Sequence, residues 1–194
     1  PAQQRALDEL GPRLDVARPA AGASLDPFAL FPTRPRAVWL EIGFGAGEHL
    51  VAQAERNPDV GLIGAEVFAD GIAKMLRRLE HAGCRNVRMF TDDARDLLAA
   101  LPDACLERVF VLFPDPWPKT KHHKRRLIQS TYLDALARVL ADGGALRLAT
   151  DDPSYQRWMA IELCRHPAFA WTAQRPSDWR ERPGDWPPTR YEQK

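Results

Sequence analysis

Short apolar runs alternate with amphipathic stretches from residue 37 onward, and this alternation constrains the fold more than any other feature of the sequence. Apolar runs of about four to eight residues bounded by glycine or proline are typical of buried strands, whereas apolar residues at i, i+3 and i+4 are typical of helices. Strands separated by helices of about 10–15 residues form parallel sheets that are covered on both faces. The sequence therefore predicts an α/β protein with a mostly parallel, doubly wound sheet.

Five strands and five helices are predicted in this part of the chain. The strands cover residues 37–42, 62–67, 86–90, 108–113 and 145–150. The helices cover residues 47–56, 70–82, 94–101, 124–140 and 154–164, and shorter strand-like pieces follow. Repeated prolines and the lack of a sustained period before the first strand predict a loosely ordered arm over residues 1–36. Residues 37–194 are then expected to form a single domain.

Composition excludes several classes of protein. Hydrophobic residues make up 45% and charged residues 27% of the chain, which is ordinary globular usage. No apolar run approaches the roughly 20 residues of a membrane span and no secretory signal is visible, so we expect a soluble, cytoplasmic protein with no membrane partner. The three cysteines are far apart and form no C-x-x-C pair, so neither a disulfide framework nor a metal site is expected.

The first predicted strand runs directly into a glycine-rich turn, Glu41-Ile-Gly43-Phe-Gly45-Ala-Gly47. A strand, a glycine turn and a helix start bring backbone N–H groups close to a ligand. Dinucleotide sites use G-x-G-x-x-G, but here the third glycine comes one position early and Glu48 takes its place. With an acid before the first glycine, the pattern suits S-adenosylmethionine better, because its sulfonium and amino-acid group need nearby carboxylates. The alternative is a glycine turn that only packs a helix on a strand.

Acidic residues also follow the next two strands. Glu66 ends the second predicted strand, 25 residues after Glu41, which suits a partner for ribose hydroxyls. Asp92 and Asp93 follow the third strand, where a carboxylate can accept a hydrogen bond from an adenine amino group. The alternatives are a solvated strand end for Glu66 and a helix N-cap for Asp92 or Asp93. Because ligands of open α/β sheets bind at the carboxyl ends of the strands, three acids at that edge favour a nucleoside site.

The fourth strand leads into a proline-rich segment, Phe113-Pro-Asp115-Pro-Trp117-Pro-Lys119. Prolines on both sides of Asp115 restrict its backbone, and Trp117 offers a face on which a base can stack. The alternative is a rigid proline turn around a buried tryptophan. Asp151 follows the fifth strand at the same edge, so a second carboxylate is expected close by.

A basic run, KTKHHKRR over residues 119–126, follows at once. Such a run is usually a solvated face, but this one adjoins the proposed reacting carboxylate, where binding of phosphates is useful. Lys121 and Arg125 have the i, i+4 spacing of a helix, which predicts that they point the same way. The C-terminal segment is rich in Arg and Trp, and it either packs on the core or closes over the pocket.

Taken together, these motifs resemble the bacterial type of tRNA (guanine-N7)-methyltransferase. The resemblance rests on EIGFGAGEHL, GAEVF, PDPWPK with its sequel KHHKRRL, ATDD and the terminal TRYE, in this order from about residue 37 onward. It implies a Rossmann-like class I methyltransferase fold, S-adenosylmethionine as the cofactor and tRNA as the partner. It also implies methylation at N7 of the guanine at conventional position 46, in the variable loop. We expect a monomer or homodimer with no obligate protein partner.

The resemblance assigns site residues motif by motif. The matching active-site residue is Asp115. The cofactor-binding positions are Glu41, Gly43, Phe44, Gly45, Gly47, Glu66, Val67, Asp93, Ala94 and Asp115. The substrate-binding positions are Lys119, Asp151, Thr189, Arg190, Tyr191 and Glu192. The RNA-binding positions are Lys121, His122, His123, Lys124, Arg125 and Arg126.

The expected chemistry follows from the nucleophile. Guanine N7 carries a lone pair and no proton, so we expect direct in-line attack on the sulfonium methyl without a general base. Alignment is then the main task of the protein, and a fixed carboxylate would stabilise the cationic product. The alternatives are methylation of an exocyclic base nitrogen, a non-catalytic RNA-binding protein with this fold, and a nicotinamide oxidoreductase. The complete set of acids argues against the second, and Glu48 argues against the third.

Overall fold

A five-stranded, all-parallel sheet forms the centre of the computed structural model, which describes residues 8–187. The strand order is β3-β2-β1-β4-β5, so the chain moves outward from β1 and then crosses back to β4. The strands are β1 (Ala37–Ile42), β2 (Val60–Ala65), β3 (Val87–Phe90), β4 (Leu106–Leu112) and β5 (Leu140–Ala149). The predicted mostly parallel, doubly wound α/β fold is confirmed.

Helices cover both faces of this sheet. The helices are α1 (Gly11–Leu14), α2 (Glu48–Arg56), α3 (Ala69–Ala82), α4 (Ala94–Ala100), α5 (Ser130–Val139), α6 (Pro153–Arg165) and α7 (Ser177–Arg180). One apolar core lies between the sheet and α2 and α3, and the other lies between the sheet and α4, α5 and α6. Each core helix carries its apolar residues at helical spacing on the side that faces the sheet.

Alternation along β1 decides which side chains face which core. Val38, Leu40 and Ile42 face the α4–α6 side, whereas Trp39 faces the α2–α3 side. Successive residues of a strand point to opposite faces, so Glu41 lies on the α2–α3 side. The carboxyl ends of the strands lie side by side, and the crevice of such a fold opens between β1 and β4, where the strand order reverses.

Predicted and observed elements agree closely over most of the domain. The first strand has the predicted limits, and the helices α2, α3, α4 and α6 differ from their predicted limits by one residue at most at either end. The second strand lies two residues earlier than predicted. The fifth begins five residues earlier, at Leu140, because β5 re-pairs with β4 across an irregularity between Leu106 and Arg108.

The predicted helix over residues 124–140 is wrong in its first part. A 3₁₀ helix covers Thr120–Arg125, and α5 begins only at Ser130. Between them, Gln129 is extended with a ψ of 164°, and Arg126 has a ψ of 134°, so neither residue continues a helix. The Gln129 side-chain amide donates to the carbonyls of Lys124 and Arg126, so a side chain satisfies backbone groups that helical hydrogen bonds would otherwise use.

Residues 8–36, which belong to the segment predicted to be a loosely ordered arm, lie against the sheet. The Val16 amide donates to the carbonyl of Met89 in β3 at 2.7 Å, and Phe31 is buried. A Cβ added at Gly61 of β2 would meet the Phe31 ring at 2.5 Å, so the ring lies directly on the strand. The boundary between an arm and a domain at residue 37 stays a prediction.

The strand-like pieces predicted after residue 164 are not strands in the described part of the chain. Between residues 166 and 187 the only regular element is the single helical turn α7. Among residues 8–187, none of the helices has the length and apolar character needed to cross a membrane.

Candidate active site

The glycine turn after β1 is held in a conformation that side chains oppose. Gly43, Gly45 and Gly47 all have positive φ, at 74°, 55° and 76°. Such values are readily adopted by glycine and rarely by other residues. A Cβ at Gly43 would meet nothing within 4 Å, so the tip of the turn borders open space. A Cβ at Gly47 would overlap Met75 of α3, so the base of the turn is closely packed.

Glu66 connects this turn to the end of β2. Its carboxylate is 7% exposed and accepts from the Gly45 amide at 2.9 Å with one oxygen. The other oxygen accepts from the amides of Val67 and Phe68 at 2.8 and 3.0 Å. Glu66 is therefore a buried link between the two turns and not a solvated strand end. Each carboxylate oxygen has two lone pairs, so these bonds leave capacity for a hydroxyl of a ligand.

Glu41 has a partner that the sequence analysis did not identify. Its carboxylate lies 2.7 Å from Nδ1 of His49 on α2, and the two side chains are 4% and 2% exposed. Gln53, one turn further along α2, lies 3.3 Å from the other ring nitrogen and donates to the carbonyl of Asp185 at 2.9 Å. Trp186 packs edge-on against the His49 ring with centroids 5.2 Å apart. The sequence pattern that could have indicated this partner is the pair His49 and Gln53, two polar residues at i and i+4 on the buried face of α2.

The C-terminal segment thus packs on the core through Asp185 and Trp186. Arg147 of β5 forms an ion pair with Asp185 at 3.3 Å, and Arg56 also donates to the carbonyl of Asp185. Of the two roles considered for this segment, packing is the one visible in the described residues. The predicted substrate-binding positions Thr189, Arg190, Tyr191 and Glu192 lie outside the described residues.

Asp93 follows β3 as the N-cap of α4, the alternative role considered for it. Its carboxylate accepts from the Arg95 amide at 2.9 Å, and the Arg95 guanidinium contacts both oxygens at 2.5–3.0 Å. The Arg95 side-chain hydrogen bond holds the pKa of Asp93 below its usual range. Asp92 instead pairs with Arg18 from the N-terminal segment at 3.3 Å. A role for Asp93 toward adenine therefore requires it to share its oxygens with Arg95.

The remaining predicted cofactor positions differ in whether their side chains are accessible to a ligand. Val67 is exposed beside Glu66, with 58% of its surface accessible. Phe44 is buried in the α2–α3 core, so only its backbone is available to a ligand. Ala94 begins α4 and packs partly against the α4–α6 core.

The loop after β4 stores backbone strain on both sides of Asp115. Phe113 and Trp117 have φ values of 52° and 43°, in a region that residues other than glycine rarely occupy. Such positions cost on the order of 1–3 kcal/mol each and persist only where surrounding contacts enforce them. The Phe113 amide donates to the carbonyl of Ala149 at 2.8 Å, which ties the start of the loop to β5. Asp115 itself is exposed, as expected for a carboxylate that meets a substrate.

Asp151 lies at the neighbouring strand end. Leu112 of β4 is paired with Ala149 of β5, so the segments that carry Asp115 and Asp151 leave the sheet side by side. Asp151 is exposed, whereas the next residue, Asp152, caps α6 by accepting from the Tyr155 amide at 2.7 Å. The two predicted carboxylates thus share one edge of the sheet.

The basic run forms a 3₁₀ helix, and its period changes which cations act together. A 3₁₀ helix has three residues per turn, so side chains at i and i+3 share a face. Lys121 and Lys124 therefore lie on one face, and both are exposed. The prediction that Lys121 and Arg125 point the same way assumed an α-helix and is wrong for that reason.

The second face of the 3₁₀ helix packs on Trp117. The His122 ring meets the Trp117 ring edge-on with centroids 5.8 Å apart, and the Arg125 guanidinium lies 5.0 Å from the centroid of the same ring. Arg125 remains exposed, so its charge is still accessible. One face of Trp117, which was expected to offer a stacking surface for a base, is therefore occupied by Arg125.

The third face packs on Trp158 of α6, and it turns inward. The His123 ring meets the Trp158 ring at 5.6 Å, and the Arg126 guanidinium lies 5.2 Å from the same ring. Arg126 is 2% exposed, although it was grouped with the RNA-binding residues. Its guanidinium donates to the carbonyl of Pro116 at 2.9 Å and to Oγ of Ser154 at 2.6 Å. An RNA phosphate would have to displace these contacts in order to reach it.

Comparison with known proteins shows the family to which this chain belongs. Residues 35–194 match the model of a protein family described as putative methyltransferase. The tRNA (guanine-N(7)-)-methyltransferase of Rhodospirillum rubrum is 56% identical over 194 residues, which cover 99% of this chain and 76% of that protein. This chain belongs to the tRNA (guanine-N(7)-)-methyltransferase family. The resemblance inferred from the motifs is thereby confirmed.

A second relative supports this family assignment, and one solved structure shares the fold. The tRNA (guanine-N(7)-)-methyltransferase of Paramagnetospirillum magneticum is 54% identical, over 97% of this chain and 79% of that protein. The precorrin-6y C5,15-methyltransferase of Geobacter metallireducens has a TM-score of 0.55 and 19% identity, over 73% of this chain and 67% of that chain. At this identity the likeness concerns the fold alone, and it supports the Rossmann-like assignment.

Close packing at the base of the glycine turn predicts a position-dependent cost of substitution. Gly47→Ala would add a Cβ 2.8 Å from the Met75 Cβ, whereas Gly83→Ala, at a similar φ of 67°, would meet nothing within 4 Å. In both variants the positive φ should lower the free energy of unfolding by about 1–2 kcal/mol. Gly47→Ala should lose about 1–3 kcal/mol more through overpacking. Urea denaturation of the two variants measures this difference, and equal losses of unfolding free energy would contradict the described packing.

Proposed function

We propose that this protein transfers a methyl group from S-adenosylmethionine to N7 of the guanine at conventional position 46 of tRNA. The observation that carries the proposal is the identity with tRNA (guanine-N(7)-)-methyltransferases over nearly the whole chain. The arrangement at the carboxyl edge of the sheet supports it. A glycine turn bordering open space and the acids Glu41 and Glu66 suit the cofactor, and Asp115 lies beyond the adjacent strand.

The residues present fit this cofactor. Gly43 leaves room where a side chain would fill the crevice, and Gly45 and Gly47 adopt the conformation that the turn needs. Glu41, Glu66 and Asp93 supply carboxylates at the ends of three adjacent strands, where ribose, amino and ammonium groups can be bound. The backbone of Phe44 and Ala94 and the side chain of Val67 complete the set. The bound cofactor would supply an electrophilic methyl carbon on a sulfonium, which N7 attacks in line with the departing sulfur.

The protein's own residues then act by alignment and charge. Guanine N7 has a free lone pair and no proton, so no side chain has to remove one. Holding the base in line with the methyl carbon lowers the activation free energy by several kcal/mol, because the reactants lose their translational and rotational freedom on binding and not in the chemical step. The methylated guanine is cationic, and Asp115, with Asp151 beside it, would accept hydrogen bonds from the base edge and stabilise the arriving charge. Lys119 and the segment over residues 189–192 would hold the nucleotide in place.

The basic run is proposed to bind the tRNA backbone. Lys121 and Lys124 share the solvent face of the 3₁₀ helix, and Arg125 is exposed beside Trp117. A-form RNA is recognised mainly through shape and phosphates, which suits a short rigid element with cations at fixed spacing. His122 and His123 border these cations but pack on tryptophans, so we assign them a supporting role in the RNA-binding surface.

The function is tested by incubating the purified protein with unmodified tRNA transcripts and methyl-labelled S-adenosylmethionine. Borohydride reduction and aniline cleavage then break the chain at N7-methylguanosine, whose cationic ring is labile. Labelled tRNA cleaved in the variable loop is expected. Label without cleavage would indicate methylation of an exocyclic nitrogen instead, and absence of label would overturn the proposed activity.

Asp115→Ala is predicted to lower kcat by about 10²–10³, the usual cost of removing one pre-organised electrostatic contact. Asp142→Ala is the matched control, because Asp142 is also an exposed aspartate but lies in the irregular start of β5, away from the carboxyl edge. Single-turnover methylation at saturating cofactor measures both. A loss below about fivefold for Asp115→Ala would exclude the proposed role.

Binding of tRNA is predicted to weaken steeply with salt, because each released counterion contributes to affinity. The logarithm of the binding constant should fall by about 0.7 per phosphate for each tenfold increase in salt, so three contacts imply a roughly 20-fold loss between 50 and 200 mM. Lys124→Gln should reduce this slope by about 0.7. Filter binding over the salt range measures the slopes, and a flat response would show that the run is only a solvated surface.

A further inference from the structure

Arg126 is the one member of the basic run with its charge inside the protein. Its side chain is 2% exposed, and the hydrogen-bond partners of its guanidinium within residues 8–187 are a carbonyl and a hydroxyl, not a carboxylate. Burying a charge costs several kcal/mol unless other groups compensate it. Here a carbonyl, a hydroxyl and the faces of Tyr155 and Trp158, 5.0 and 5.2 Å away, take the place of a carboxylate. An apolar side chain would fill this space at lower cost, so the cation requires an explanation.

The partners of Arg126 identify what it connects. One hydrogen bond goes to the carbonyl of Pro116, the residue directly after Asp115. The other goes to Ser154, in the first turn of α6 and three residues after Asp151. Arg126 therefore spans the two segments that carry the carboxylates proposed to act on the base.

The strained loop explains why such a connection is needed. Phe113 and Trp117 both have positive φ, so the loop around Asp115 stays in place only if other contacts enforce it. Burial raises the pKa of the Tyr155 hydroxyl, and the charges of Arg126 and Asp115 act on it in opposite directions. The Arg126 guanidinium lies 5.0 Å from the centroid of the Tyr155 ring, so it also packs on the first turn of α6.

We propose that Arg126 is a positioning residue that fixes the Asp115 loop against the start of α6, and that it does not contact RNA. The planar guanidinium can donate to two acceptors in different directions while its faces lie on aromatic rings, which an ammonium group cannot reproduce. This proposal rests on the proposed function for its catalytic consequence, although the contacts that support it are independent of the reaction.

The test compares Arg126→Lys with Lys124→Gln in the full chain. Arg126→Lys should lower kcat for tRNA methylation about 10–100-fold, the scale expected when a reacting group is displaced by about 1 Å. The tRNA dissociation constant should change less than about twofold and the salt slope should not change, whereas Lys124→Gln should reduce the slope by about 0.7. A reduced slope with unchanged kcat would show a phosphate contact and would overturn the proposal.

A second measurement does not depend on activity. Hydrogen exchange at the Phe113 amide, which donates to the carbonyl of Ala149 at 2.8 Å, should be faster in Arg126→Lys than in the wild type and unchanged in Lys124→Gln, because only the first variant loosens the loop. Unchanged exchange in folded Arg126→Lys would overturn the positioning role. If the wild type methylates no tRNA, the proposed function fails while this measurement still decides the present proposal.

Ser154→Ala provides a milder variant if Arg126→Lys does not fold. It removes one acceptor of Arg126 from an exposed position and leaves the guanidinium in place. A three- to tenfold decrease in kcat with an unchanged salt slope is expected, since a typical neutral-acceptor bond contributes about 1 kcal/mol. Unchanged kcat and unchanged exchange at the Phe113 amide would contradict the proposal.

Discussion

The carboxylate of Glu66 holds together the turns that follow β1 and β2. By accepting from the Gly45 amide and from the two amides that follow its own residue, it joins the turn after β1 to the turn after β2. The other side of the glycine turn is closed by α3, where a Cβ at Gly71 would meet the Gly45 carbonyl oxygen at 2.5 Å. A turn with three positive φ angles thus has one conformation, because it is tied on one side and packed on the other.

The loop around Asp115, after β4, is held in one conformation by different groups. The loop around Asp115 contains no glycine. Phe113 and Trp117 therefore adopt its positive φ angles, which residues other than glycine rarely occupy. The prolines at 114, 116 and 118 limit the alternatives in the unfolded chain. Hydrogen bonds from Arg126 and to Ala149 hold the loop against its two neighbouring segments. The glycine turn is thus held by the Glu66 carboxylate and by close packing, whereas the strained loop around Asp115 is held by a buried cation and a backbone hydrogen bond.

Much of this was predictable from sequence, because the strands and helices follow from periodicity and the acids follow the strands. Periodicity predicted the strand ends near which the structure places the glycine turn, Glu41, Glu66 and Asp115, and family membership is confirmed by the relatives. Three features were not predictable. The start of α5 depends on the Gln129 side chain binding the nearby carbonyls of Lys124 and Arg126, and the contact of His49 with Glu41 depends on how α2 packs on the sheet. The N-cap role of Asp93 was considered, but its pairing with Arg95 depends on side-chain geometry that periodicity does not determine.

The basic run shows why charge density alone is a poor guide to a binding surface. In an α-helix, Lys121 and Arg125 at i and i+4 would be neighbours on one face, and the sequence alone indicates one continuous positive surface. With three residues per turn, the run divides into one face in solvent, one on Trp117 and one on Trp158. Only the first consists of lysines, whose strongly hydrated ammonium groups are costly to bury, whereas the inward face ends in an arginine. Lys121, Lys124 and Arg125 therefore present their charges to solvent, whereas Arg126 does not.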